Sequence, residues 1–448
     1  MTVMVTSPGG GYGCVTVRSY RRARALGLGA GPDVRISRDA DHVERTSAAF
    51  LWSKSAREAQ PVQSYAAVRG CTGQEVARAN RLAVERHGRT WQQPKDKGEA
   101  QEELVLPARL GEGPERLIRE VVAQLPRLRG VSASVEAHRA VDRRLYLRPD
   151  QPAVGETLST ASVVIDLFRQ GRLIADVDEA WGGAQDPDPG RLVGRLERTL
   201  ARAEARHGVL PERVQLLLLD GTAGVFLHEV CGHLLESTWS RPSLVASRRA
   251  HPIANDSVSV ADNPRRAGAF GAYQYTMLGV ESRRRTLLDR GRLMDLLEDT
   301  PDGPWRAEHA GRVPQPRMSH LELAPAPSGI LLDQALGRAA APVLRVHRFG
   351  PGSLNHRDGT VVIEVKEATT GSGPRLRRLA PFRVTAEARQ LLLEIQAVGD
   401  AGTAADWSAY CLSSSGRVPV GASAPTMLTG VMSTLPCQPT GTAGSAAA

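Results

Sequence analysis

The chain has 448 residues, 41% hydrophobic and 23% charged, a balance expected of a globular protein of two or three domains rather than a disordered one. Its formal charge of +9 is carried almost wholly by arginine, since lysine stands only at Lys54, Lys95, Lys97 and Lys366. The arginines are scattered, Arg283 to Arg285 being one of a few short runs, so they form no nucleic-acid-binding stripe. Five widely spaced cysteines do not resemble a secreted disulfide framework, and the first 31 residues lack the uninterrupted apolar run of a signal peptide. The most apolar stretch, Val214 to Leu227, is too short for a membrane span and contains Asp220. Residence in the cytoplasm is therefore expected.

Residues 1 to about 110 give mixed signals: a helical pattern over Gln74–Glu85, then a polar stretch from Gln92 to Glu103 that reads as a solvated loop. From Gly113 to Leu128 the apolar residues Leu117, Ile118, Val121, Val122 and Leu125 recur at helical spacing. Ser162–Leu167 and Leu173–Val177 flank Gln170-Gly171 and predict a β-hairpin. The Gly-, Asp- and Pro-rich stretch Trp181–Gly190 breaks the chain, and Leu192–His207 is again amphipathic. A domain boundary is expected near residue 207, giving domains 1–207 and 208–448, with a disordered tail over about 436–448. Val214–Leu219 predicts a buried strand closed by Asp220-Gly221, and a helix from Thr222 to Leu235 should come next, with Thr222 as its N-cap. Thr360–Lys366 and Gln390–Val398 predict strands. The fold class expected is α+β: an N-terminal α/β domain of β-hairpins and helices, then a β-rich C-terminal domain carrying one metal-binding helix.

That helix holds His228-Glu229-Val230-Cys231-Gly232-His233, two histidines flanking a glutamate. The second histidine comes one residue later than in the zinc-protease H-E-x-x-H, and at about 100° per residue an i,i+5 pair is displaced by about 140° around a regular α-helix. A π-type bulge would realign the two rings, and Gly232, lacking a Cβ, should ease the distortion. On its own the hexapeptide also fits two hydrogen-bonded core histidines. If it is a metal site, Glu229 beside the first ligand is placed to act as general base.

Three more stretches occur in order downstream: Asp262 to Tyr275 (DNPRRAGAFGAYQY), Pro316-Arg317-Met318, and Cys411 with Gly416-Arg417-Val418-Pro419-Val420-Gly421 and Pro425-Thr426 after it. With His228–Glu236 (HEVCGHLLE), these resemble the TldD/PmbA family of metallopeptidases, which process modified peptide precursors. The resemblance covers roughly residues 110 to 435 and is strong from 206 onward. It implies a metal held by His228, His233 and Cys411. Two imidazoles and a thiolate are a soft tetrahedral set that favours zinc, leaving a fourth position for water whose pKa falls to roughly 7. Cys14, Cys71 and Cys437 are then incidental, and Cys231 is a small buried apolar residue. Glu236 could orient a ligand imidazole or serve the helix surface or a cap, Arg317 could grip a substrate carboxylate or carbonyl or make a structural ion pair, and His320 could join the site or lie on the surface.

The sequence departs from the family pattern at Thr276-Met277-Leu278-Gly279, where many members have Asp-Asp-Glu-Gly, and at His320-Leu321-Glu322, where Asn-Thr-Tyr is usual. Those segments bear on specificity. The resemblance implies a zinc peptidase acting on short or unfolded peptides bound as an extended strand, working with a homologous partner subunit or as a homodimer. The rival readings are a non-catalytic scaffold subunit of such a pair and a nucleic-acid-associated regulator.

Overall fold

In the computed structural model the described residues are 12–26, 36–38, 42–54, 61–69, 78–79, 82, 113–125, 131–148, 151–183, 186–238 and 240–437. The helical reading of Gln74–Glu85 falls mostly outside them, and the expected loop from Gln92 to Glu103 and most of the 436–448 tail lie outside altogether.

The segment before residue 183 builds one antiparallel sheet. Its strands are β1 (Tyr12–Leu26), β2 (Ile36–Arg38), β3 (His42–Lys54), β4 (Pro61–Arg69), β5 (Val131–Arg148), β6 (Gln151–Arg169) and β7 (Arg172–Gly182), in the order β4-β3-β1-β5-β6-β7 with β2 also on β1. The hairpin expected at Gln170-Gly171 joins β6 to β7, both turn residues having positive φ (53° and 75°) as a two-residue loop requires. Two helices, α1 (Gly113–Gln124) and α2 (Pro189–Ala203), cover one face of this sheet. Leu117, Ile118 and Val121 of α1 and Leu192, Leu196 and Leu200 of α2 meet Val135, Val163 and Ile165.

The long strands change their buried face along their length. At the helix-covered end of β1, Arg21, Ala23 and Ala25 are buried; at its start, Cys14 and Thr16 are, on the opposite side. Cys14 and its β5 partner Tyr146 pack with Met277, Leu278 and Trp305 from the second half of the chain. The same end carries Arg18, paired with Asp142 at 2.6 Å and with Glu308 at 3.2 Å, so both apolar packing and ion pairs tie the first sheet to the C-terminal half.

The remaining strands are β8 (Arg206–His207), β9 (Arg213–Leu218), β10 (Glu236–Ser237), β11 (Val260–Asp262), β12 (Arg285–Asp289), β13 (Arg292–Leu293), β14 (Leu297–Glu298), β15 (Trp305–Arg306) and β16 (Gln315–Pro316). After them come β17 (His320–Leu323), β18 (Val343–Leu354), β19 (Thr360–Thr370), β20 (Arg377–Arg378), β21 (Phe382–Glu387), β22 (Ala397–Val398), β23 (Ala405–Ser413), β24 (Gly416–Ala424) and β25 (Met427–Pro436). The pairings β18-β9-β25-β21-β19 close on themselves through β19–β18, making a small barrel. A second sheet runs β13-β12-β11-β17-β24-β23 and ends on β23, whose outer edge has no ladder partner among the described residues. The chain is thus mixed α and β, strand-rich with few helices.

Two local expectations fail. Gln390–Val398 is a short helix (Ala388–Leu393) and only then β22; the Glu387 carboxylate accepts from the N–H groups of Arg389 and Gln390, an N-cap that overrides the strand-like run of leucines. Thr222 is the first helical residue instead of the cap. The cap is Gly221 at φ 89°, and the Thr222 hydroxyl donates back to the Leu219 carbonyl at 2.6 Å.

Candidate active site

β9 ends in consecutive left-handed residues, Asp220 and Gly221, which turn the chain into a broken helix. It runs as α3 (Thr222–Phe226), a π-helix over Leu227–Gly232, and α4 (His233–Leu235). The His233 N–H donates to the His228 carbonyl, so the i,i+5 bond that realigns the two histidines joins them directly. Leu227, Val230, Cys231, Leu234 and Leu235 are all buried in the larger core, leaving the histidine face to the cleft. Cys231 is fully buried and apolar surroundings push its thiol up to about 12, in keeping with an inert packing residue.

Gly232 has a different role from the one its position suggests. Its φ of −57° is ordinary α-helix, so the π turn makes no demand on it. A Cβ there would instead overlap the Met318 sulfur and crowd Leu321. Gly232→Ala should therefore lower the urea unfolding midpoint, by about 1–3 kcal/mol in stability, despite alanine's better helix propensity. An unchanged midpoint would mean that Met318 moves aside freely.

The Nε2 or Nδ1 atoms of His228 and His233 and the sulfur of Cys411, on β23, lie within 4.8 Å of one another. The Cys411 sulfur is 3.5 Å from His233 Nε2. That separation is close to the roughly 3.6 Å edge of a tetrahedron with metal–nitrogen and metal–sulfur bonds of about 2.0–2.1 and 2.3 Å. His228 Nδ1 and Glu229 Oε2 are buried without a hydrogen-bond partner, although a stranded buried polar atom costs about 1–3 kcal/mol. A donor set of two imidazoles and a thiol, with orphaned polar atoms beside it, fits a cation.

Charge around the cluster points the same way. Glu236 is 3.1 Å from His233 Nδ1 and fixes that ring with Nε2 toward Cys411. Burial would discharge His233, but Glu236 and Cys411 lift its pKa to about 10, so the pocket is built to hold positive charge there; a bound cation would replace that proton. Burial above all holds His228 well below the usual imidazole range and raises the Glu229 carboxyl. Arg317 is 2% exposed and pairs with Glu236 at 2.9 Å, with Ser413 accepting a further bond. Two of its nitrogens are thus committed to structure, and Nη2, buried, is without a partner.

His320 lies elsewhere. It is 2% exposed, neither on the surface nor among the residues lining the cleft, and its Nε2 meets Ser423 Oγ at 2.9 Å.

The cluster opens on a cleft of about 870 Å³. Its walls include residues that the sequence did not single out. The Trp407 ring lies 5.2 Å from the His228 ring, tilted by 58°, and His356, in the turn between β18 and β19, stands edge-on 6.4 Å from the His233 ring. Gly352 of β18 approaches so closely that a Cβ would strike the Glu229 carboxyl. Arg306 is a further omission: fully buried over the Tyr273 ring, it donates to the carbonyls of Met318, Gly271 and Pro419 and so clamps together three of the motif stretches. A single arginine or histidine outside a patterned run carries no sequence signal of such a role.

A strand-rich α/β fold in which a π-helical turn and a strand bring two histidines and a cysteine together defines a class, and the comparisons identify it. Residues 211–434 match the family model described as the PmbA/TldA metallopeptidase C-terminal domain, and the chain belongs to the PmbA/TldD family. Over 95% of its length the fold is similar to that of TldE from Thermococcus kodakarensis, with a TM-score of 0.65, 11% identity and 96% of that chain covered. A Thermotoga maritima protein described as a putative modulator of a DNA gyrase is equally similar, with a TM-score of 0.65, 12% identity, and 95% and 96% of the two chains covered. Curated relatives include a metalloprotease of Methanocaldococcus jannaschii, 29% identical over 103 residues (22% of this chain, 21% of the relative). A metalloprotease TldD homolog of Buchnera aphidicola is 22% identical over 240 residues, 51% of this chain and 48% of the relative. The chain thus spans about a fifth to about a half of the length of these curated relatives. Their names, like the family's, are those of metallopeptidases, which implies a metal ion. Among the described residues no helix is long and apolar enough to cross a membrane.

Proposed function

We propose that the protein is a zinc peptidase that cleaves short or unfolded peptides, with His228, His233 and Cys411 holding the ion and Glu229 as general base. The observation that carries this reading is the convergence of two imidazoles and a thiol within 4.8 Å on the wall of an open cleft. Bound there, zinc would supply Lewis acidity for the scissile carbonyl and for the attacking water. The chain's own residues do the rest. Glu229, raised by burial, takes a proton and passes it to the leaving amine. Glu236 and Arg317 keep the His233 ring in place, and Trp407 backs that of His228. A peptide lies extended along the free edge of β23, bonded through its backbone.

We also infer a division into domains at residue 207 and assembly with a homologous subunit; the similarity to a TldE structure and a TldD homolog supports the pairing. Processing of a ribosomally made peptide precursor is the role that membership of the family suggests. The test joins metal analysis to cleavage. Wild type should bind about one zinc per chain, and chelation should abolish cleavage of an unfolded peptide until zinc is restored. Cys411→Ser should lose most of the ion. Stoichiometric zinc in that variant removes Cys411 from the ligand set, and cleavage indifferent to the chelator removes the metal from the reaction.

A further inference from the structure

Glu229 differs from its neighbours in what holds it. The His233 ring is fixed by its bond to Glu236. The Glu229 carboxyl has no such support: Oε2 is buried without a partner, and Oε1 stands 4.0 Å from His228 Nε2, beyond hydrogen-bond reach. Where the carboxyl points is therefore set by packing.

That packing comes from β18. Phe349 stands opposite Val365 and Gly352 opposite Ile363, so between these two pairs β18 holds one residue more than β19. Gly350-Pro351-Gly352 thus forms a bulge, a device that re-aims a strand beside a site, and Pro351 has no N–H to give the ladder. The bulge lines the cleft and brings Gly352 onto the Glu229 side chain: a Cβ there would fall 2.5 Å from Glu229 Cδ, 2.6 Å from Cγ and 2.9 Å from Oε1. Since a Cβ lies one bond of about 1.5 Å beyond Cα, the Gly352 Cα is within about 4 Å of the carboxyl carbon, in van der Waals contact. Gly352 is not among the positive-φ glycines, so its backbone conformation makes no demand for glycine. The demand comes from Glu229.

Resting on the peptidase reading above, we infer that Gly352 is a positioning residue for the reaction: its bare Cα forms the seat that keeps the Glu229 carboxyl turned toward the His228, His233 and Cys411 cluster. A side chain at 352 would leave the barrel in place, because the atoms it meets are the movable end of a glutamate. It would swing the carboxyl out of line instead, and a misplacement on the order of 1 Å can cost about 10²-fold in rate.

Gly352→Ala should lower kcat for an unfolded peptide by roughly 10–100-fold, with KM within about twofold of wild type and the zinc content unchanged. Gly350→Ala adds a Cβ to the same bulge, where it meets the Lys366 side chain instead, and should leave kcat as in wild type. Added to Glu229→Gln, Gly352→Ala should cost nothing further, because the group it displaces no longer accepts a proton. A second readout needs no turnover: the unfolding midpoints of wild type, Gly352→Ala, Glu229→Ala and the double variant. Alanine in a permitted conformation restricts the unfolded chain, so Gly352→Ala should raise the midpoint once Glu229 is shortened, and raise it less or lower it while the glutamate is present.

Wild-type kcat in Gly352→Ala, a loss that recurs undiminished on top of Glu229→Gln, or one that tracks the zinc content or is shared by Gly350→Ala overturns the assignment and leaves the peptidase reading intact. If wild type cleaves nothing, the peptidase reading falls and the midpoints alone judge the seat. Coupling between positions 352 and 229 then upholds it, and strict additivity overturns it.

Discussion

Glu229→Gln should lower kcat for an unfolded peptide by about 10²–10⁴-fold, the range that general acid–base catalysis supplies, while leaving zinc content near that of wild type. The two halves of this expectation come from different atoms. The ligand cluster is made of ring nitrogens and the Cys411 sulfur, and Glu229 is not part of it. Its carboxyl is 4.0 Å from His228 Nε2, with Oε2 buried and unpartnered, so a neutral amide can occupy the same space without disturbing a ligand. What the amide cannot do is accept a proton. KM should move little, because the backbone edge of β23 and the lip of the cleft are untouched. Glu229→Gln that cleaves as fast as wild type removes Glu229 from the reaction; a variant that has also lost its metal shows Glu229 to be structural.

The site was more legible than the sheet beside it, for a physical reason. An i,i+5 pair of histidines around a glutamate is geometrically wrong for sharing an ion on a regular helix, so a metal reading of the motif required the π turn found over Leu227–Gly232. Cys411, 178 residues downstream of His233, could not be found that way; only the family resemblance pointed to it. The first sheet was opaque because its strands bury Cys14 and Thr16 on one face and Arg21, Ala23 and Ala25 on the other, so no single alternation runs through β1. Buried charges obscured it further: Asp142 and Arg144 of β5 occupy positions that a period-two reading assigns to solvent. Gly232 was noticed for the wrong property, since what matters is the approach of Met318, a residue 86 positions away that no local pattern reveals.

Breaking the Glu236–Arg317 pair should be the most damaging change to stability near the site. Glu236 is 3% exposed and Arg317 2%, so neither charge has water to fall back on. Removing one partner strands the other, which costs about 3–5 kcal/mol in buried pairs. Glu236→Ala should therefore lower the thermal unfolding midpoint sharply. It should also release His233 Nδ1, which no longer has its 3.1 Å acceptor, and weaken metal binding by about 10–100-fold, the usual consequence of deleting such a support. The double substitution Glu236→Gln with Arg317→Met removes both charges at similar volume, and should recover much of the stability. It should not recover the metal affinity, because the methionine supplies nothing to the imidazole and the glutamine amide orients it less firmly than a carboxylate. Measuring unfolding and zinc affinity on the same two variants separates the roles: if both recover together, Glu236 serves the metal only by holding the fold.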